Sequence, residues 1–359
     1  MDPLPDYGNG ALFPLPRNAL SESALLGLPS VPKEPTDMPN PAATIQTTCR
    51  ICGQKSQHPA WEAKELLMGT RESFPYFQCV RCGCLQIADI PKDLGRHYPA
   101  GYYSYTGIPE VHPLRRRLAC LRSRYAISGQ GWLGALLYAW RPFPKMRLLR
   151  RLNLTKSTRI LDIGCGAGAF LHLFADMGFQ NLLGADPFLE HDLAYDNGLK
   201  ILKRDIHEID GEWDLVMFHH SFEHVPDAKA CLQAAARRLV PGGTCLIRIP
   251  TASSYAWEHY GVDWVQLDAP RHLYLHSRQS LALVAAEAGL KVEVVEDDSG
   301  AFQFWGSEKY RQGLMLNEGC PWTRRELAAF EKQARILNAG HRGDQAAFFL
   351  RKPYSPSQP

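Results

Sequence analysis

Residues 159–168, Arg-Ile-Leu-Asp-Ile-Gly-Cys-Gly-Ala-Gly, narrow the choice of folds more than any other stretch of the chain. The short apolar run from Arg159 to Ile163 reads as a β-strand, and it meets a turn in which Gly164, Gly166 and Gly168 alternate with Cys165 and Ala167. Glycine lets the backbone bend through left-handed conformations and lets a ligand approach where a Cβ would stand in the way. The helix predicted from about Ala167 to Met177 then aims its unpaired N–H groups at the turn. Strand, glycine turn and helix N-terminus together form a cradle for a nucleotide-like ligand, and a chain organised around one is an α/β protein.

The same residues admit two ligands. Gly164-x-Gly166-x-x-Ala169, with Asp186 about twenty residues on, fits a relaxed dinucleotide fingerprint. Asp162, two residues before the first glycine, instead suits a ligand carrying an ammonium or sulfonium charge. Hydrophobic-Leu-Asp-Ile-Gly-Cys-Gly-x-Gly resembles motif I of the class I S-adenosylmethionine (SAM) dependent methyltransferases.

Downstream, strands at 182–185, 199–202, 213–218, 244–249 and 292–295 alternate with helices, the pattern of an open, mainly parallel sheet. The resemblance adds a seventh strand at 345–350, running antiparallel, and implies a seven-stranded, mostly parallel, Rossmann-like α/β sheet. Ligands in such sheets bind beyond the C-terminal strand ends. Asp186, followed by Pro187, stands where a carboxylate can hold both ribose hydroxyls, and the family's pattern puts Asp205 and Ile206 on the adenine. His219 and His220 fall where the family holds the methionine end of SAM, and Leu239-Val-Pro-Gly-Gly243 matches its turn before strand five. Glu223 and His224 are expected to anchor their loop.

Cys49-x-x-Cys52 and Cys79-x-x-Cys82 have the spacing of two knuckles that bring four thiolates to one tetrahedral zinc, with Phe74 to Phe77 as a returning strand between them. Cys84 could replace Cys82, although the x-x spacing favours Cys82. A ribbon of this kind is structural, since four protein ligands leave no open position.

The chain of 359 residues thus divides into a draped or disordered tail (1–46), a zinc ribbon (47–96), an aromatic connector with a basic helical segment (97–155) and a methyltransferase domain (156–359) with substrate-side lids at 250–277 and 298–344. Ten cysteines without a basic, apolar leader point to reduced thiols and a cytoplasmic protein. The net charge of +3 hides an asymmetry: residues 111–161 hold twelve Lys or Arg and no Asp or Glu. Two helices separated by Gly129 to Gly131 fit residues 114–154, and they can follow a phosphate backbone, lie peripherally on a membrane or pack on the catalytic domain.

Asp268-Ala-Pro-Arg-His-Leu-Tyr-Leu-His-Ser277 bears on reaction type. It is similar to the Glu-His-Phe-x-x-Phe-Ser segment of zinc-ribbon sugar C-methyltransferases from antibiotic and surface-polysaccharide pathways, which implies that His272 takes the substrate proton. The family's acidic residue is Arg271 here and a nearby tyrosine is Ala269, so O-methylation fits as well as C-methylation. His220 is the second candidate base. The expected acceptor is a small molecule, a sugar or glycan intermediate. An RNA acceptor and a non-catalytic zinc-containing interaction protein are the alternatives. Against RNA, few positive charges lie between Cys49 and Cys84.

Overall fold

The computed structural model of the chain describes residues 40–98 and 111–354. Most of the predicted tail and three of the four connector tyrosines, Tyr102, Tyr103 and Tyr105, lie outside the described residues.

The ribbon is an antiparallel sheet of β1 (Ala43–Thr48), β2 (Lys55–Lys64), β3 (Ser73–Gln78) and β4 (Leu85–Ile87). Each Cys-x-x-Cys sits in a hairpin turn that ends on a left-handed glycine, Gly53 (φ 71°) or Gly83 (φ 69°). Three helices follow: α1 (Pro113–Ser128), α2 (Trp132–Trp140) and α3 (Pro144–Leu148). Gly129, left-handed at φ 76°, stops the first, as the Gly129 to Gly131 break predicts, but the second predicted helix is split at Arg141–Phe143.

The large sheet contains β5 (Arg159–Ile163), β6 (Asn181–Ala185), β7 (Leu193–Ala194), β8 (Lys200–Leu202), β9 (Trp213–His219), β10 (Leu239–Pro250), β12 (Lys291–Asp297) and β13 (Gln345–Arg351). Their order is β12-β13-β10-β9-β5-β6-β8-β7. The five central strands from β10 to β8 are parallel, and β13 runs antiparallel to both β10 and β12. This is the Rossmann-like, mostly parallel sheet expected. It has eight strands rather than seven because the two-residue β7 pairs with the edge of β8. The Pro241-Gly-Gly243 turn lies within β10, where it shifts the pairing with β9 between Leu239 and Thr244.

Side chains alternate across the sheet as the pleat requires. Ile160, Leu246 and Phe349 enter one core with α4 (Ala169–Asp176), α1 and α3. Leu161, Ile163, Ile247 and Phe348 enter the other, which α5 (Ala228–Arg238) and α7 (Arg278–Glu287) cover. The second core runs on into the ribbon. It includes Trp61, Tyr76 and the lid residues Trp257 and Trp264.

A short strand in the first lid, β11 (Tyr274–Leu275), explains this continuity: it pairs antiparallel with β4 and becomes the fifth strand of the ribbon sheet. The lids also hold α6 (Tyr255–Tyr260), α8 (Phe302–Arg311) and α9 (Arg324–Ala339). Phe304 and Tyr310, in the second of the two predicted lid segments, are core residues, with Phe304 stacked on Phe330 at 5.4 Å. Among the described residues no helix is long and apolar enough to cross a membrane.

Candidate active site

The glycine turn leaves the C-terminal end of β5, the central strand that β9 and β6 flank. All three of its glycines have positive φ. At Gly164 (φ 68°) the need is also steric, since a Cβ there would overlap the side chain of Ser221 on the loop after β9. The Ser221 hydroxyl donates to Ile163 O at 2.6 Å and ties that loop to the turn. Asp186 ends β6 and accepts from Gly166 N at 2.9 Å and from Phe188 N at 3.0 Å, so it shapes the cradle while each oxygen keeps a lone pair. Pro187 beside it is exposed.

Asp162 is 2% exposed, and its Oδ1 has no hydrogen-bond partner. Burial raises its carboxyl to about 8, with Lys145 opposing and Asp186 reinforcing the shift. Burial likewise pushes the Cys165 thiol well up. Asp205 is exposed at the end of β8 and spends its carboxylate on a capping box with His207 N and Glu208, while Ile206 is buried in the core. His219 meets the Phe170 ring edge-on at 4.6 Å, with neither ring nitrogen partnered, and burial holds it well below the usual imidazole range.

Next to the cradle, two loops meet in a cluster of three histidines and two acids. His220 holds a left-handed backbone (φ 52°), and its Nε2 accepts from Arg248 at 2.7 Å. Its proton is therefore on Nδ1, 3.4 Å from Glu223, so the basic nitrogen is already used. His272 Nδ1 donates to Gln266 O at 2.7 Å, which leaves Nε2 as the basic nitrogen, 3.9 Å from Glu223 and 3.8 Å from Asp268. His224 lies edge-on to His272 at 4.8 Å, and its Nδ1 donates to Arg271 O at 2.8 Å. Burial, with His272 adding to it, lowers the His224 imidazole.

Glu223 is fully buried, and neither oxygen accepts a hydrogen bond. Burial alone would raise its carboxyl, but His220, His224 and His272 outweigh that and hold it at about 2. Glu223 and His224 anchor their loop as expected, through Leu273 N to Glu223 O and His224 Nδ1 to Arg271 O, and both side chains also face His272. The signal was the His-x-x-Glu-His spacing of residues 220–224, which a turn of 3₁₀ helix at 222–224 folds inward. One ligand atom from each of Glu223, His224 and His272 lies within 4.8 Å of the others, a donor set that could also hold a metal ion.

Arg271, where the family's pattern has an acid, reaches toward the ribbon and shares Asp268 with His272. Fully buried, it pairs with Glu65 at 2.9 Å and Asp268 at 2.6 Å and donates to His97 O at 3.3 Å. Glu65 also accepts from Met68 N, Thr70 N and the Thr70 hydroxyl. The ribbon's Tyr76 hydroxyl donates to His272 O at 2.7 Å. His272 thus hangs from the ribbon on both sides. Tyr98, the last described connector residue, stacks on Phe188 at 5.6 Å and lies 3.1 Å from His224 Nδ1, spanning cradle and cluster.

In the ribbon, Cys49 Sγ lies 3.7 Å from Cys82 Sγ and Cys52 Sγ 3.5 Å from Cys79 Sγ, and all four fall within 4.8 Å of one another. A zinc tetrathiolate has edges of about 3.8 Å. The four cysteines therefore fit zinc, with Gln86 Nε2 donating to Cys49 Sγ at 3.2 Å as outer support. Cys84 is turned away, against Leu85 O.

Residues 138–295 match the family model described as a methyltransferase domain. A ubiquinone biosynthesis O-methyltransferase of Bordetella avium is 31% identical over 153 residues, covering 37% of this chain and 62% of that protein. One from Xanthomonas oryzae is 29% identical over 147 residues, covering 38% and 61%. The chain thus spans about three fifths of the length of these curated relatives. Among solved structures, an S-adenosylmethionine dependent methyltransferase from Mesorhizobium loti matches with a TM-score of 0.38 at 18% identity, over 56% of this chain and 94% of that one. A SAM dependent methyltransferase from Archaeoglobus fulgidus matches with a TM-score of 0.37 at 19% identity, over 62% and 100%. The chain carries a methyltransferase domain of Rossmann-like fold.

Proposed function

We propose that the protein transfers the methyl group of SAM to a hydroxyl or a carbanion of a small-molecule acceptor, a sugar or glycan intermediate. The observation that carries this reading is His272: one ring nitrogen is pinned by Gln266 O, and the other is left basic beside Glu223 and Asp268, one loop from the cradle. When bound, SAM supplies a methyl group already activated on a sulfonium. What remains for the chain is to position the acceptor, exclude water and take a proton.

Gly164 to Gly168 and Asp186 would hold the nucleoside, and Asp162 provides a negative charge at the turn for a cationic ligand. His272 Nε2 takes the acceptor's O–H or C–H proton, and the imidazolium formed is stabilised by the two carboxylates within 4 Å. His220 is the poorer base because Arg248 occupies its lone pair. A single zinc in the Cys49, Cys52, Cys79 and Cys82 site would stiffen the ribbon from which His272 hangs.

The test is His272→Ala assayed over nucleotide-sugars, lipid-linked glycans and RNA, with SAM binding followed by calorimetry. General-base loss predicts turnover down by about a hundredfold or more with SAM affinity unchanged. Unchanged turnover removes His272 from the mechanism, and methylation of RNA alone replaces the acceptor class.

A further inference from the structure

Helix α2 reads Trp-Leu-Gly-Ala-Leu-Leu-Tyr-Ala-Trp and carries no charged side chain. Gly134 is its buried point: a Cβ there would run into Leu121 O and Tyr125 of α1. The Tyr125 and Tyr138 rings meet at 5.7 Å on the same side. On the side away from α1, Trp132, Leu136 and Trp140 follow one another at one-turn spacing and are 76%, 60% and 75% exposed, with Leu133 beside them. Two tryptophans and two leucines on one face form an apolar stripe of the kind that soluble surfaces rarely leave in water.

The charge around this stripe says what covers it. The twelve Lys and Arg of residues 111–161 include Arg115 and Arg117 on α1 and Arg147 on α3, with no acid in that stretch of sequence, while Arg116, Arg151 and Arg159 are paired with Asp176, Glu296 and Asp214. An apolar face with tryptophan at both ends, set in an unbroken positive segment, complements a bilayer with anionic headgroups. The rings sit at the headgroup level and the cations meet the phosphates. At nine residues the helix is roughly 14 Å long, so it lies in the interface and cannot cross it.

We propose that α2, with the basic residues around it, is a peripheral docking site for an anionic lipid surface. The site is coupled to the cradle through α1, where Arg116 pairs with Asp176 and Arg124 donates to Met177 O at the end of α4. Docking does not depend on which acceptor is methylated.

The experiment is flotation of the full chain with phosphatidylcholine vesicles, with and without phosphatidylglycerol, alongside tryptophan fluorescence. Association with the anionic vesicles, a blue shift on binding and weakening with added salt are expected. The Trp132→Ser, Leu136→Ser, Trp140→Ser triple variant should bind at least about tenfold more weakly while keeping its far-UV spectrum and SAM affinity. Equal binding by the triple variant, no preference for anionic lipid, or no blue shift overturns the proposal. So does a dimer that the triple variant dissociates, or vesicle binding that appears only once residues 1–39 are removed. In those cases a second copy or the chain's own N-terminal segment holds the stripe.

Discussion

Glu65→Gln is the most informative single substitution, because one atom change separates the ribbon's stability from its role at His272. The carboxylate accepts from Met68 N at 2.7 Å, Thr70 N at 2.9 Å, Thr70 Oγ1 at 3.1 Å and Arg271 Nη2 at 2.9 Å, in a fully buried setting. Glutamine offers one acceptor oxygen. If that oxygen keeps Thr70, the amide nitrogen faces Met68 N–H and Arg271, donor against donor. The loss is one charge-assisted bond, about 1.5–3 kcal/mol, plus an orphaned N–H, about 1–3 kcal/mol. Asp268 still neutralises Arg271, which keeps the total below that of a fully broken buried pair, so about 3 kcal/mol is expected.

Urea unfolding of the metal-loaded protein measures this, and adding Arg271→Met should deepen the loss, since it also strands the Asp268 carboxylate that Arg271 pairs with at 2.6 Å. Turnover should fall while SAM affinity holds, because Arg271 precedes His272. The sign with pH follows from Glu65. Burial pushes its carboxyl up, but the Met68 and Thr70 N–H groups and Arg271 bring it below the ordinary carboxylate range. The stabilisation by these Glu65 contacts is thus fully present above that range, and the gap between wild type and variant closes as the pH falls below it through the lowered folded pKa. A stability loss under about 1 kcal/mol, or SAM affinity falling in step with turnover, would refute this role for Glu65 and Arg271.

Three further outcomes are expected. Asp162, held protonated up to about 8 before a ligand arrives, stabilises the empty protein most at low pH and loses that contribution as the pH rises through about 8. Binding of cationic SAM at pH 7 should therefore release close to one proton, seen as a dependence of binding heat on buffer ionisation, and Asp162→Asn should abolish it; proton-free binding by wild type contradicts this. Gly164→Ala must displace Ser221 from a left-handed turn, which should cost about 2–4 kcal/mol and eliminate measurable SAM binding. Metal analysis should find one zinc per chain, lost with stability in Cys79→Ser; a second equivalent that His272→Ala removes would reassign the Glu223, His224, His272 cluster to a cation.

The large sheet was legible because each central strand is an apolar run closed by a turn, and the cradle because Asp162 and three glycines cannot easily serve another purpose. β7 and β11 were not, since two paired residues leave no period to detect. Arg271 read only as a departure from a family acid, because its partner Glu65 is 206 residues away and no local pattern links them. That Glu223 and His224 also face His272 was hidden for a related reason: a spacing of one says nothing of direction until the turn at 222–224 is formed. For the helix that carries Trp132 and Trp140 the sequence left lipid, nucleic acid and packing on the catalytic domain all open, since an apolar nonamer does not show which neighbours cover it.

The pairing of β4 with β11 has a consequence for the protein's history and for its engineering. A module attached by a linker can be exchanged, but this ribbon shares its sheet with the segment that carries His272, whose β11 forms the edge strand beside β4. A graft that moves residues 47–96 alone would leave the 268–277 segment without its neighbour strand, without Tyr76 to carry its carbonyl and with Arg271 stranded. The unit that can be transplanted, duplicated or lost is discontinuous along the chain, and it comprises the ribbon strands together with residues 268–277.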